Sequence, residues 1–86
     1  MEFEYDPKKS KSNKEKHGID FEEAKSLWLY DGRITASART EDGEHRELVV
    51  GNIGEKTWAC VTTKRGKKIR LISCRPARDN EKEKLK

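Results

Sequence analysis

The apolar residues of this chain are confined to a few short segments, and this limits most strongly what it can fold into. Two such segments are TWACVTT and IRLISCRPA, both late in the chain. Hydrophobic residues make up 31% of the 86 residues, whereas charged residues make up 42%. A domain this small buries a modest fraction of its surface. The sequence therefore predicts one domain over residues 1–86, with a thin core and a charged shell.

The first predicted helix has clear boundaries but nothing apolar to bury. Asp6 is suited to cap its N-terminus, Pro7 to the first helical position, and Gly18 to a left-handed residue that ends it. Between them stand five lysines, one glutamate and a histidine. Hydrophobic burial is therefore not expected to hold this helix in place.

One face of this helix collects Lys9, Asn13 and Lys16, with His17 beside the last of them. Two interpretations follow. The helix is either a solvated surface element, or one wall of a phosphate-binding site. Helical periodicity does not distinguish them. Asn13 is also suited to a structural role, in which its amide bonds to strand backbone.

A second helix and a series of strands complete the predicted fold. Asp20 and Glu23 form a capping box, and the helix is expected to end at residues 30–32. The strand segments are FEYD, RITASAR, RELVVGNI, TWACVTTK and KKIRLISCRPAR. Sequential strands with short loops pair antiparallel. We therefore expect an α+β two-layer domain, with N-terminal helices packed on an antiparallel sheet of three to four strands and a frayed or short helical tail over residues 79–86.

The two cysteines, Cys60 and Cys74, lie inside apolar strand segments. The chain begins MEFEYD without an apolar run, and no segment is long enough to span a membrane. We therefore expect a cytoplasmic location with both thiols reduced and buried, although a disulfide between neighbouring strands stays geometrically possible. Neither cysteine has neighbours at zinc-ligand spacing, and we expect no cofactor and no metal ion.

Positive charge is concentrated in two blocks. Residues 7–17 carry five lysines and one glutamate, and residues 64–78 carry seven basic residues and no acid. The segment between them, residues 20–47, is net acidic. If the basic blocks converge in the fold, a polyanion such as RNA is the natural partner.

The order of residues resembles that of BrnT-type toxins of bacterial type II toxin–antitoxin systems. The first motif of the resemblance comprises Phe3, Tyr5, Asp6, Lys9, Asn13, Lys16, His17, Ile19, Phe21 and Ala24. The second comprises Arg70, Leu71, Ile72, Ser73, Cys74 and Arg75, after a turn at Gly66. Tyr5 stands where tryptophan is commoner in the family, and Cys74 where alanine is. The resemblance extends from Phe3 to about Arg78.

The resemblance implies a RelE-like fold and a ribonuclease that arrests translation, acting on RNA either free or as ribosome-associated mRNA. It also implies a BrnA-like antitoxin with a ribbon-helix-helix DNA-binding part, joined to the toxin in a heterotetramer. Operator DNA would then be bound only through the antitoxin. Composition and charge are compatible with these expectations, but the expectations themselves rest on the resemblance.

RNA cleavage without a metal uses the adjacent 2′-hydroxyl as nucleophile, and needs a base, an acid and cations. Arg70 and Arg75 are the first candidates for the cations, since a guanidinium matches two phosphate oxygens. They are five residues apart, so a regular strand would direct them to opposite faces. A bulge or bend before Pro76 would direct them to the same face.

The remaining candidates divide by chemistry. His17 is the acid–base candidate, although a histidine at a helix C-terminus also commonly caps carbonyls. Glu47 is a candidate base if it faces the cleft. The candidate RNA-binding cations are Lys9, Lys16, Arg65 and Lys68. The alternative functions are a nucleic-acid-binding module without catalysis, or a protein-interaction module whose charge serves solubility.

Overall fold

Within residues 1–85, one five-stranded sheet forms the centre of the fold, with three α-helices and a 3₁₀ helix around it. The computed structural model describes residues 1–85, except for the side chain of Glu41. The strands are β1 (Glu2–Glu4), β2 (Ile34–Glu41), β3 (Glu44–Ile53), β4 (Lys56–Arg65) and β5 (Lys68–Pro76). The helices are α1 (Pro7–His17), α2 (Phe21–Ala24), the 3₁₀ helix (Lys25–Leu29) and α3 (Asp79–Glu83).

The strands are arranged in the order β1-β5-β4-β3-β2. Strands β2 to β5 form consecutive antiparallel hairpins, as predicted. The expected antiparallel sheet of three to four strands is wrong in detail, because β1 adds a fifth strand that runs parallel to β5. Pairing between the two ends of the chain is non-local, and no turn between them indicates its direction.

The predicted limits of α1 are confirmed. The carboxylate of Asp6 accepts a hydrogen bond from the Lys8 N–H at 2.9 Å, with Pro7 at the start of the helix. At the other end Gly18 has a φ of 94°, in the left-handed region that favours glycine. These caps satisfy backbone N–H and C=O groups that the first and last turns of a helix leave unpaired.

The second helix is shorter than predicted. The capping box at Asp20 and Glu23 is present, but the α-helix ends at Ala24 and continues as a 3₁₀ helix to Leu29. Leu27 in this helix is fully buried. A Cβ at Gly51 of β3 would lie 3.2 Å from a Leu27 methyl carbon. The glycine therefore permits the close packing of the 3₁₀ helix on the sheet.

The core lies mainly between the helices and one face of the sheet, which we call the covered face. Its buried residues are Ile19, Phe21, Ala24, Leu27, Val49, Trp58, Cys60, Leu71 and Cys74. Both cysteine thiols are free and buried, as expected. A smaller cluster of Val50, Ala59 and Ala77 lies on the opposite, open face, where Leu85 packs against it.

Helix α1 is held to the rest of the molecule by buried polar side chains. The Asn13 amide donates to the carbonyls of Ile19 (2.9 Å) and Cys74 (2.8 Å) and accepts from the Cys74 N–H at 3.0 Å. Ser10 Oγ accepts from the Phe21 N–H at 2.9 Å. Asn13 thus occupies the edge of β5 beyond the short strand β1, where a further strand would otherwise pair. The structural role predicted for Asn13 is confirmed.

An irregularity in β5 sets the direction of its side chains. Val61 of β4 pairs with Ser73, whereas the next residue, Thr62, pairs with Leu71, so that Ile72 is an extra residue in β5. An extra residue of this kind is a β-bulge, and it reverses the alternation of side chains along the strand. Two side chains that a regular strand would place on opposite faces of the sheet, one before Ile72 and one after it, therefore lie on the same face.

The C-terminal tail forms a helix rather than a frayed end. Helix α3 spans Asp79–Glu83, and its Glu81 is buried at 6% exposure. Lys86, the last residue of the predicted tail, lies outside the described residues. Over residues 1–85 no helix has the length and apolar character needed to cross a membrane.

Candidate functional site

A groove between α1 and β5 brings together the predicted residues of the first helix. It is a cavity of about 330 Å³ lined by Lys9, Ser12, Asn13, Lys16, His17, Ile72 and Ser73. We call it the α1–β5 groove. Two of its lining residues come from the β5 bulge and five from the polar helix, and none of the seven is acidic.

The chemistry of this groove follows from its exposure. Lys9 and Lys16 are exposed, and His17 is half-buried. The lysines can hold an anion in the groove as mobile point charges. The imidazole of His17 can hydrogen-bond to a ligand through its ring nitrogens. An RNA phosphodiester is a ligand that would use both properties.

Arg70 and Arg75 lie on the same face of the sheet, the open face. Arg70 pairs with Thr63, Ser73 with Val61 and Arg75 with Ala59, and these β4 partners alternate regularly. The bulge at Ile72 therefore selects the second of the two arrangements that the sequence left open. At about 3.3 Å per residue, Ser73 lies within roughly 7 Å of Arg75 and 10 Å of Arg70 along the strand.

Each arginine is held by a carboxylate from another part of the chain. Arg70 Nη1 lies 3.1 Å from Glu4 Oε2, across the parallel β1–β5 pair. Arg75 makes a two-pronged contact with Glu81 of α3, with Nη1 2.8 Å from Oε1 and Nη2 2.9 Å from Oε2. Both guanidinium groups are thus oriented before any ligand arrives.

Glu81 is the residue of this region that sequence reasoning missed. Hydrogen bonds from Arg75 and from the Arg78 N–H lower the pKa of Glu81 to about 2, despite its burial. The same contact raises the pKa of Arg75 above its usual value. The available signal was a glutamate at the third position of a short helix, in a segment otherwise rich in basic residues.

Acid is expected to weaken the fold through Glu81. A depressed pKa stabilises the fold above the unfolded value of 4.5, and this stabilisation is lost as pH falls from about 4.5 to about 2. The loss amounts to about 3 kcal/mol of unfolding free energy. Urea unfolding of the wild type and of Glu81→Gln from pH 7 to pH 2.5 measures it.

The variant should lose less stability than the wild type over this pH range, because it lacks the titrating group. Glu83→Gln, an exposed glutamate on the same helix, serves as the control and should follow the wild type. Parallel curves for Glu81→Gln and the wild type would contradict the assignment.

The other predicted residues do not all lie on the same face of the sheet. Lys68 and Arg65 are opposite each other in the β4–β5 strand pair, next to the turn, and lie on the open face as Arg70 does. Arg65 Nε donates a hydrogen bond to Glu44 Oε2 at 2.9 Å. Glu47 pairs with Thr62, whose partner Leu71 is in the core, so it faces the covered side. Lys64 Nζ lies 4.0 Å from Glu47 Oε1. The structure therefore does not bring Glu47 together with the arginines.

Among residues 1–40 and 42–85, no group of three or more His, Cys, Asp or Glu side chains is placed to hold a metal ion. The lysine and arginine cations that line the α1–β5 groove are Lys9 and Lys16, both from α1; neither Arg70 nor Arg75 is among its lining residues.

Comparison with known protein families gives a match over most of the chain. The model of a family described as the ribonuclease toxin BrnT of type II toxin–antitoxin systems matches residues 5–81. This range includes α1, the bulged strand β5 and Glu81. A comparison with curated proteins gave no match.

Proposed function

We propose, since the chain belongs to the BrnT family of ribonuclease toxins of type II toxin–antitoxin systems, that it cleaves RNA at the α1–β5 groove without a metal ion. Membership of the family implies an RNA substrate and an antitoxin partner. The sites of the reaction and its mechanism are proposals that rest on the geometry.

One observation carries this proposal. The groove with Lys9, Lys16 and His17 reaches Ser73, and Ser73 lies between Arg70 and Arg75 on one face of β5. A proton-transfer group and two pre-oriented guanidinium groups therefore flank the same short stretch of strand. This is the set of groups that cleavage by a neighbouring 2′-hydroxyl requires.

The proposed reaction begins with the phosphate held by Lys9 and Lys16. The imidazole of His17 takes the proton of the 2′-hydroxyl, whose oxygen attacks phosphorus. Arg70 and Arg75 stabilise the additional negative charge on the phosphoryl oxygens. The bond from phosphorus to the 5′-oxygen breaks, that oxygen takes a proton from a water molecule in the open groove, and the resulting hydroxide takes back the proton that His17 carries. The products are a 2′,3′-cyclic phosphate and a 5′-hydroxyl end.

The test is cleavage of a fluorescent single-stranded RNA by the purified chain in EDTA, with the product ends identified by mass spectrometry. We expect cyclic-phosphate ends and no cleavage of a substrate with 2′-deoxy sugars. His17→Gln should lower the rate constant about 100-fold or more, because it removes general base catalysis. His45→Gln, at an exposed histidine outside the groove, is the matched control.

Two results would contradict this proposal. Binding of RNA without strand scission would favour the alternative of a non-catalytic nucleic-acid-binding module. Cleavage that is abolished by EDTA and restored by Mg²⁺ would overturn the metal-independent mechanism while leaving the nuclease in place.

The finer biological assignments are part of the same proposal. We propose a RelE-like fold, inhibition of translation in the cytoplasm, and a BrnA-like ribbon-helix-helix antitoxin in a heterotetramer that binds operator DNA. The free, buried thiols of Cys60 and Cys74 are compatible with a reducing compartment. An antitoxin that covers the α1–β5 groove would block RNA by occupancy and by neutralising its charge. Growth arrest on expression, relieved by co-expression of the adjacent open reading frame, tests the pairing.

A further inference from the structure

The contact between Arg75 and Glu81 leaves part of the guanidinium unused. Its Nη1 donates to Glu81 Oε1 at 2.8 Å and to the Pro76 carbonyl at 3.4 Å, and its Nη2 donates to Glu81 Oε2 at 2.9 Å. Within residues 1–85 the structure gives no partner to Nε–H or to the second Nη2 hydrogen. These two donors lie side by side and form the second fork of the guanidinium, which matches two oxygens of a phosphate.

Glu81 is itself held in a fixed position. It is buried at 6% exposure, and its Oε1 also accepts the Arg78 N–H at 2.8 Å. Leu85, just after α3, packs against the open-face cluster of Val50, Ala59 and Ala77. Contacts of Arg78, before Glu81, and of Leu85, after it, therefore fix the position of the carboxylate. The carboxylate in turn restricts the side chain of Arg75, which is 24% exposed.

We propose that Glu81 is a positioning residue that holds Arg75 by one fork, so that the Nε and Nη2 fork stays open to bind the phosphate being cleaved. The inference rests on the proposed ribonuclease function and adds to it the residue that orients one of its cations. Because Glu81 cancels the net charge of Arg75, the pair contributes directed hydrogen bonds rather than general attraction for RNA. The pair also contributes to the stability of the fold, so the test has to separate an effect on catalysis from an effect on folding.

The test is a double-mutant cycle on RNA cleavage with Glu81→Gln, Arg75→Ala and the double variant. Glutamine keeps the shape of the side chain but loses the charge and one acceptor. We expect Glu81→Gln to lower kcat about 10-fold while KM changes less than twofold, because the affected bonds matter most in the transition state. In the Arg75→Ala background, Glu81→Gln should change kcat less than twofold.

The matched control is Glu83→Gln, which removes the same charge from an exposed position of the same helix and should keep wild-type kcat and KM. Glu81→Asp, which keeps the charge at a shorter reach, should recover part of the lost kcat. All assays are run below the lowest melting temperature in the series, so that unfolding does not contribute.

The outcomes separate this inference from the function on which it rests. If the wild type does not cleave RNA, the proposed function falls and the positioning role falls with it. If the wild type cleaves RNA, the positioning role is overturned by wild-type kcat in Glu81→Gln. It is equally overturned by equal losses in both backgrounds, because Glu81 would then act through the fold and not through Arg75.

Discussion

Replacement of Arg70 by alanine is expected to lower the rate constant of RNA cleavage by about 100-fold to 1,000-fold with the fold intact. Removal of one preorganised donor group at developing negative charge has an effect of this size in other enzymes. Arg70 is oriented by Glu4 and lies on the open face of the sheet, as Ser73 does. Single-turnover cleavage of the RNA substrate, at saturating protein, measures the chemical step separately from binding.

The expected cost to folding is small, because the ion pair removed is partly solvated. The Glu4 side chain is 32% exposed and remains accessible to water when Arg70 is removed. Arg70→Lys should fall between the wild type and Arg70→Ala, since lysine keeps the charge but loses the fork. Lys67→Ala removes one positive charge from the exposed β4–β5 turn and is the matched control. Equal rates for Arg70→Ala and Lys67→Ala would show that Arg70 acts only through net charge.

Replacement of Asn13 by alanine is expected to lower the free energy of unfolding by about 3–4 kcal/mol. The variant loses three buried hydrogen bonds and leaves the Cys74 N–H and two carbonyls without partners. A buried backbone group without a partner costs about 1–3 kcal/mol. For a domain of this size each kcal/mol lowers the melting temperature by about 4–8 °C. Urea unfolding or calorimetry measures the change.

The control for this prediction is Lys11→Ala on the exposed side of the same helix, which should change stability by less than about 0.5 kcal/mol. Asn13→Asp should also destabilise, because the carboxylate keeps an acceptor for the Cys74 N–H but has no N–H for the two carbonyls. A loss below about 1 kcal/mol in Asn13→Ala would show that water replaces these bonds. Helix α1 would then be held mainly by its neighbours in sequence.

The local features of the fold were predictable, because the residues that cause them act within a few positions of each other. The caps of α1 at Asp6 and Gly18 and the capping box at Asp20 and Glu23 are all present. The strand segments between Ile34 and Pro76 pair as antiparallel hairpins, as their spacing indicates. The early change from α-helix to 3₁₀ helix at Lys25 was not predicted, since the packing of Leu27 over Gly51 involves a distant strand.

The candidate site was predicted in its residue types but not in its arrangement. The sequence identified the cations of the first helix and the last strand, and the polar role of Asn13. It left open which face of the sheet each of Arg70 and Arg75 occupies. It proposed Glu47 as a base, but the structure places Glu47 on the face of the sheet opposite to these arginines. It missed Glu81, because a contact between β5 and α3 depends on how the tail folds back over the open face.

The sequence by itself determined the limits of α1 and the start of α2, which segments are strands, and that two basic blocks lie near opposite ends of the chain. Only the tertiary structure decided that Ile72 is an extra residue in β5, that both arginines share a face, and that β1 runs parallel to β5. The physical reason is that caps and turns are formed by neighbours in sequence. A bulge is a mismatch in residue count between two paired strands, and it exists only once their register is fixed.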